Sequence, residues 1–305
     1  MTYLRQKVRS LVTTVSAVAS DVKLRQPTES ERLLIQELRD GVRALHPIVL
    51  NEAPGAEREW QLNMLSLRKT ILKHDPRGFL RWKVIVDTMF FSGRTEELLY
   101  LQSLISWPQW REAVRESSVG RPMVYLEMKE SSGNLLHHAY SLARFSEAFQ
   151  VEPASLGDIV EFGGGYGSFA RLARRVGHSA GYTIFDLAEF GLLQQYFLAS
   201  VLGPQHGVDL ISGPGRLRER LAHSKIDLFV ATWSLSESPL IVRELIENVI
   251  GRPKFVLIAY QHAFGEVDNV RYFEDFMTSR PQYDWRHESI PHLPENKYLF
   301  GRLRG

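Results

Sequence analysis

The sequence has no cysteine. That absence removes disulfides, thiolate metal sites and a cysteine nucleophile together, and it is neutral about redox compartment. No apolar run reaches the roughly 20 residues of a membrane-spanning helix. No long lysine or arginine run occurs, and a formal net charge of +2 is too small to make a nucleic-acid surface by itself. Internal repeats and low-complexity tracts are also missing. What is present suits a packed globular protein, with 44% hydrophobic residues to fill a core and 24% charged residues to cover it. A chain of 305 residues exceeds the usual single domain, so a core domain plus a second region is expected. The charge balance favours a small, roughly neutral ligand, and we read the protein as cytoplasmic, with neither a nucleic-acid partner nor a membrane span.

Residues 1–20 superficially resemble a secretory leader. Spacing argues for an amphipathic helix instead: Leu4, Val8, Leu11, Val15, Val18 and Val22 alternate steps of four and three, and Thr13, Thr14, Ser16 and Ser20 interrupt the apolar stretch. Such a seam packs on another helix, either within the chain or across a homodimer. Thr28-Glu-Ser-Glu31 then offers a capping box ahead of Leu33, Leu34, Leu38, Val42 and Leu45, closed by Pro47. Helical patterns continue over residues 56–73, 76–91 and 95–117, the last broken near Pro108. Residues 1–119 therefore read as a helical region, a cover or dimerisation unit, with no sheet of its own.

Residues 120–156 read as a connecting segment. It contains Glu127-Met-Lys-Glu130-Ser-Ser-Gly133-Asn134-Leu-Leu-His137-His138. A glycine-asparagine pair between acids and two histidines is either a substrate loop or a surface turn entering the helix of Tyr140, Leu142, Phe145 and Phe149.

From residue 157 to 305 short apolar runs alternate with amphipathic stretches, the mark of an α/β domain with a parallel sheet. Strands are expected at residues 159–162, 182–185, 208–211, 228–231 and 255–259. A helix near 270–277 and strands near 283–290 and 297–302 follow, the last two so close that they must pair antiparallel. The first strand runs into Gly163-Gly-Gly165-Tyr166-Gly167, where glycines let backbone amides and a helix N-terminus approach a ligand.

Two ligands compete for that turn. Gly165-Tyr-Gly167-Ser-Phe-Ala170 satisfies the dinucleotide fingerprint in its alanine-ended form, and Asp186 lies about 20 residues on, where a ribose-binding acid belongs. Against this, Glu161 stands at the strand's end, where it would repel a pyrophosphate. The same acid suits the ammonium group of S-adenosylmethionine, which carries no phosphate. The terminal hairpin, in place of a second mononucleotide half, points the same way.

Four stretches carry a resemblance. Val160-Glu-Phe-Gly-Gly-Gly-Tyr-Gly-Ser168, Tyr182-Thr-Ile-Phe-Asp-Leu187 with the following Leu192-Leu-Gln-Gln-Tyr196, Ala231-Thr-Trp-Ser-Leu-Ser-Glu237 and Tyr260-Gln-His-Ala-Phe-Gly-Glu-Val-Asp-Asn269 make residues 120–305 similar to the sugar O-methyltransferases of the class I S-adenosylmethionine-dependent methyltransferase superfamily. The glycine motif is shared with all class I enzymes, whereas the last two stretches are more particular to this group. Gly133-Asn134 resembles the family's Gly-Asn signature, with Leu135 where a proline commonly follows. The resemblance implies a Rossmann-like sheet with a C-terminal antiparallel hairpin, S-adenosylmethionine as cofactor and methyl transfer to a hydroxyl of a sugar or glycoconjugate. It also turns the residue 127–138 cluster toward the substrate reading, with Glu130, Asn134, Gln261 and Asn269 as candidate acceptor contacts.

Read physically, Gly163, Gly164, Gly165, Tyr166 and Gly167 shape the cofactor turn and Glu161 meets its amino-acid end. Asp186, followed by Leu187, takes the ribose hydroxyls or caps the next helix. Ser212 is the candidate adenine contact, and Trp233 stacks on a sugar or adenine or fills the core. Hydroxyl methylation needs an in-line approach and a base. His262 has an appropriate unperturbed pKa for that role, with Glu237, His137 and His138 as the other candidates. Glu237, Glu266, Asp268 and Asn269 are oxygen donors for a divalent cation, or equally a cap for the following helix, and no metal is assigned. His287 and His292 line an acceptor pocket or lie on the surface. Two readings of a different kind stay open, a nicotinamide-dependent oxidoreductase and a cofactor-binding partner protein without turnover.

Overall fold

In the computed structural model, residues 24–305 are described except 49, 51–54 and 223. The Leu4 to Val22 seam and the homodimer read from it lie outside the described residues. Helix α1 (Glu29–Ala44) begins as its capping box requires: Thr28 Oγ1 accepts from Glu31 N–H at 3.3 Å and Glu31 Oε2 accepts from Thr28 N–H at 2.8 Å. Helix α2 (Ala56–Lys73) follows. The single helix expected over 76–91 is instead a 3-10 turn (Pro76–Arg81) and helix α3 (Lys83–Met89). The chain kinks at Gly78 (φ −113°, ψ 19°) within the turn and leaves helical angles altogether at Trp82 (φ −69°, ψ 139°), where the turn and α3 part. Helices α4 (Thr95–Ser103) and α5 (Trp107–Ala113) part just ahead of Pro108, which sits in the first turn of α5.

The connecting segment departs further from expectation. It holds an antiparallel pair, β1 (Val124–Tyr125) and β2 (Met128–Ser132), and helix α6 (Gly133–Phe149) starts immediately after it. Gly133 and Asn134 are thus the first turn of a helix, neither a loop nor a surface turn. Ser132 caps it, its Oγ accepting from Leu135 N–H at 3.2 Å.

Strands β3 (Asp158–Phe162), β4 (Tyr182–Phe185), β5 (Val208–Ile211), β6 (Ile226–Thr232) and β7 (Phe255–Gln261) form where the apolar runs predict, with helices α7 (Ser168–Arg175), α8 (Ala188–Leu202), α9 (Pro214–Leu221) and α10 (Leu240–Ile250) between them. A small antiparallel pair, β8 (Ala263–Phe264) with β9 (Val267–Asp268), leads into helix α11 (Asn269–Thr278), and β10 (Tyr283–Ser289) and β11 (Asn296–Leu303) close the chain. The seven-stranded sheet has the order β10-β11-β7-β6-β3-β4-β5. Its strands from β5 to β7 are parallel, and β11 is antiparallel to both of its neighbours. This is a Rossmann-like parallel sheet with an antiparallel terminal hairpin. The order reverses at β3, with β4 on one side and β6 on the other, so the glycine turn leaves the sheet at the place where open α/β sheets hold ligands.

Alternation along the strands sends neighbours to opposite faces. Ile159, Leu228 and Leu257 join α6, α7, α8 and the N-terminal helices in one core, whereas Val160, Phe229 and Val256 join α9, α10 and α11 in another. The helical region is thereby packed on one face of the sheet. Phe79 is its main anchor: it is fully buried, with ring centroids 5.7 Å from Tyr166, 5.9 Å from Phe197 and 6.4 Å from Tyr196. A second tie is ionic, from Arg68 Nε to the buried Glu189 Oε1 at 2.7 Å. Among the described residues no helix is long and apolar enough to cross a membrane.

Phe79→Ala leaves a cavity among three aromatic rings, and it is expected to lower the unfolding free energy by about 3–5 kcal/mol. A urea melt checks this.

Candidate functional site

The turn after β3 is held in left-handed backbone at Gly163 (φ 71°), Gly165 (φ 59°) and Gly167 (φ 91°). A Cβ on Gly163 would lie 2.3 Å from Ser234 Cβ, so the turn and the loop after β6 touch through the missing side chain. Ser234 Oγ reinforces the contact by donating to Phe162 O. Gly164 packs against the sheet, where a Cβ would meet Ile184 Cγ2 at 2.7 Å. Tyr166 does not face a ligand. Its ring is buried against Phe79 and Phe197, so only its backbone belongs to the turn, because the apolar cluster around Phe79 takes the ring.

Glu161 lies under this turn, 2% exposed, with Oε2 accepting from Tyr182 O–H at 2.8 Å. Burial pushes its carboxyl up to about 8, against the Tyr182 hydrogen bond and with the charge of Asp186 adding to the rise. Asp186 ends β4 and folds back locally: Oδ1 accepts from Leu187 N–H at 2.7 Å and Oδ2 from Gln194 Nε2 at 2.7 Å. Burial raises this carboxyl to about 7, opposed by the hydrogen bonds from Leu187, Gln194, Gly165 and Gly164. Gln194 also donates to Gly165 O at 3.0 Å, and its Oε1 is buried without a partner. The Leu187 side chain is 37% exposed, and Ser212 is exposed beyond β5.

Across the turn, the loop after β6 and the end of β7 form one network. Trp233 has φ 64°, a genuine outlier for a bulky residue. Its N–H donates to Ala259 O at 2.7 Å and its Nε1 to Asn296 Oδ1 at 2.7 Å. Ser236 Oγ bonds Gln261 Oε1 at 2.8 Å. Arg243, fully buried, donates Nη2 to Ser236 O at 2.6 Å, Nε to Ser238 O at 2.9 Å and Nη1 to Asn269 Oδ1 at 2.8 Å. Asn269 in turn donates Nδ2 to Gln261 O at 3.0 Å. Asn269 is fully buried and its amide is engaged at both ends, so it is a structural link and not an acceptor contact.

The other candidates separate. Asn134 is also committed internally: Oδ1 accepts from Phe91 N–H at 2.7 Å and Nδ2 donates to Met89 O at 2.5 Å. Glu130 is exposed on the hairpin and pairs with Arg111 at 3.3 Å. His138 is turned against Phe169, 5.7 Å between centroids, and burial pushes it down to about 3, which leaves it neutral and unfit as a base near pH 7. His262 is exposed, its backbone fixed by N–H to Glu295 O at 2.7 Å and by Asn269 N–H to its carbonyl at 3.0 Å. Glu237 is half-buried beside the Trp233 loop. Asp268 caps α11 through Arg271 N–H at 3.0 Å. Among the described residues no group of three His, Asp or Glu side chains is arranged to hold a metal ion. His287 bonds the Tyr260 hydroxyl at 2.5 Å. His137 and His292 both meet Glu97, at 2.5 Å and 3.0 Å.

Several of these residues escape sequence reading. Glu97, Gln194 and Arg243 each stand beside other polar residues in their helices, with no local signal to mark them as the inward ones. Met89 reaches over the turn, its Sδ 3.4 Å from where a Gly165 Cβ would stand.

No family model and no curated protein matches the sequence. Among solved structures, magnesium protoporphyrin IX methyltransferase from Synechocystis PCC 6803, with SAM bound, is 13% identical at a TM-score of 0.39, over 71% of this chain and 100% of that one. An rRNA methylase from Streptococcus thermophilus is 15% identical at 0.40, over 50% and 92%. A methyltransferase from Podospora anserina, with SAH bound, is 12% identical at 0.39, over 72% and 92%.

The raised carboxyl of Glu161 has a sign for stability. Because its folded pKa lies above the ordinary carboxyl value of 4.5, its contribution is complete below pH 4.5 and is lost as pH rises toward 8. Glu161→Gln is therefore expected to stabilise the ligand-free protein at pH 8, by on the order of 2 kcal/mol, and to change it little at pH 4.5. Denaturant melts at the two pH values check the difference.

Proposed function

We propose that the protein is an S-adenosylmethionine-dependent O-methyltransferase acting on a hydroxyl of a sugar or glycoconjugate. The observation that carries the cofactor reading is the buried Glu161 carboxyl beneath left-handed glycines at the switch point of the sheet. A pyrophosphate placed there would push this raised carboxyl further up and gain no partner from it, whereas an ammonium group favours its ionised form and pairs with it. The orphaned Gln194 Oε1 beside Asp186 fits a site that is completed by a hydrogen-bonding ligand.

When bound, S-adenosylmethionine supplies an electrophilic methyl group on a sulfonium. In this reading Glu161 pairs with its ammonium and the glycine amides line its amino-acid end. Asp186, exchanging the Gln194 hydrogen bond, holds the ribose hydroxyls. Trp233 and the Ser234 to Glu237 loop face the acceptor, which enters over the carboxyl edge of β6 and β7. Residues 157–305 bind the donor, residues 120–156 connect, and residues 1–119 cover the site or join two copies. The hydroxyl acceptor is supported by the Ala231 to Glu237 and Tyr260 to Asn269 stretches and their likeness to the sugar O-methyltransferases.

Calorimetry of the full chain at pH 7 with S-adenosylhomocysteine, S-adenosylmethionine and NAD is the test. Binding of the first two is expected, with a heat that differs between phosphate and Tris buffers because pairing with the ammonium lowers the raised Glu161 carboxyl and releases a proton. Tight NAD binding with no response to either adenosyl compound ends this reading. Label from methyl-labelled cofactor is expected in a glycan extract and should survive mild alkali, as an ether does and an ester does not.

A further inference from the structure

Three titratable side chains outside the cofactor turn converge inside the protein. Glu97 of α4 is fully buried, and its Oε1 meets His137 Nδ1 of α6 at 2.5 Å and His292 Nε2, from the β10–β11 turn, at 3.0 Å. Its Oε2 is buried and has no partner. Burial works against charge on Glu97, yet the two histidines hold its carboxyl below the usual range, so the anion persists in the interior. A carboxylate facing Nδ1 selects the tautomer with the proton on Nδ1 and the lone pair on Nε2.

The His137 ring is fixed on both faces. Phe91 stacks on it at 4.1 Å and Trp233 lies at 4.8 Å. Both neighbours lead back to the glycine turn. Trp233 precedes Ser234, which touches Gly163, and Phe91 is two residues from Met89, whose Sδ stands over Gly165. His137 is thus linked to the turn from both faces of its ring, through Trp233 and Ser234 on one side and through Phe91 and Met89 on the other. Trp233 is held here in left-handed backbone, a strain that the surrounding hydrogen bonds offset. The other histidines near this edge are differently employed: His262 is exposed, His138 faces Phe169, and His287 bonds Tyr260.

We propose that His137 is the base that takes the acceptor's proton and that Glu97 is its positioning residue. This rests on the methyltransferase reading above. The acceptor oxygen forms a C–O bond to the methyl carbon as the C–S bond breaks and its electron pair stays on sulfur. The hydroxyl proton passes to His137 Nε2 and from there to water. His138, Tyr125, Tyr140 and Tyr298 are the remaining titratable groups around the cluster, with Arg144 beside Tyr140. Burial raises the three phenols and lowers His138, so all four are neutral near pH 7 and Glu97 is the charge that His137 feels most closely.

The test uses His137→Asn and Glu97→Gln in the full chain, with His262→Ala as the comparison. Three quantities are read: methyl transfer from labelled cofactor to a glycan extract, S-adenosylhomocysteine affinity by calorimetry, and the His137 ring titration by NMR without cofactor. His137→Asn is expected to lose about 100-fold or more in turnover while cofactor affinity stays within about threefold. Glu97→Gln removes a negative charge beside the imidazole. The His137 titration, and with it the acid limb of the turnover profile, should move to lower pH, with a reduced plateau. The isosteric Glu97→Gln decides the matter by NMR if His137→Asn does not fold. Retained turnover in His137→Asn, or an unmoved His137 titration in Glu97→Gln, overturns the dyad while leaving the methyltransferase reading intact. A wild-type chain that neither binds the demethylated cofactor nor transfers a methyl takes down both.

Discussion

Gly133 has no room for a side chain. A Cβ there would lie 2.3 Å from both Gly93 N and Phe91 O, and the next residue, Asn134, spends its whole amide on the backbone of Met89 and Phe91. These two residues lock the 89–93 strap against the first turn of α6. The strap then sets Met89 over the cofactor turn and Phe91 on His137, and it leads into α4, which carries Glu97. The two Asn134 side-chain hydrogen bonds fix both distance and direction, which close packing at Gly133 alone does not. The helical region and the ligand edge of the sheet are thus one mechanical piece.

A second constraint works on the other side of the turn. Arg243 is wholly buried and its guanidinium is distributed over the Ser236 and Ser238 carbonyls and the Asn269 amide. Its planar fork joins the loop after β6 to the start of α11, and Tyr272 covers its face at 4.5 Å. The Ala231–Glu237 and Tyr260–Asn269 stretches are therefore bridged to each other by one cation. Much of their character is architectural: Asn269 and Ser236 hold the loops, and Trp233 is tied to Asn296 and packed on His137.

Much of the fold was legible because its signals are local. Five apolar runs became the parallel strands, the Thr28 capping box opened α1, and the closely spaced last runs paired as a hairpin. The kink at Gly78 and the extended Trp82 defeated the helix expected over 76–91, since a hydrophobic period survives a break that only the backbone angles reveal. The candidate site was legible in part. The glycine turn and Glu161 stand out from their order along the chain, but Tyr166, Asn134, Asn269 and His138 turned inward, and nothing adjacent in sequence marks that choice.

By itself, then, the sequence determined the parallel sheet, its terminal hairpin and the acid beneath a glycine turn, because each follows from residues a few positions apart and from backbone preferences that act at short range. Only the tertiary structure decided which polar residues are spent holding the protein together and which face the ligand edge. Glu97, His137 and His292 are 40 and 195 residues apart along the chain from one carboxylate to its two rings. Their meeting depends on how α4, α6 and the β10–β11 turn pack, and packing is a property of burial and shape that no local pattern encodes.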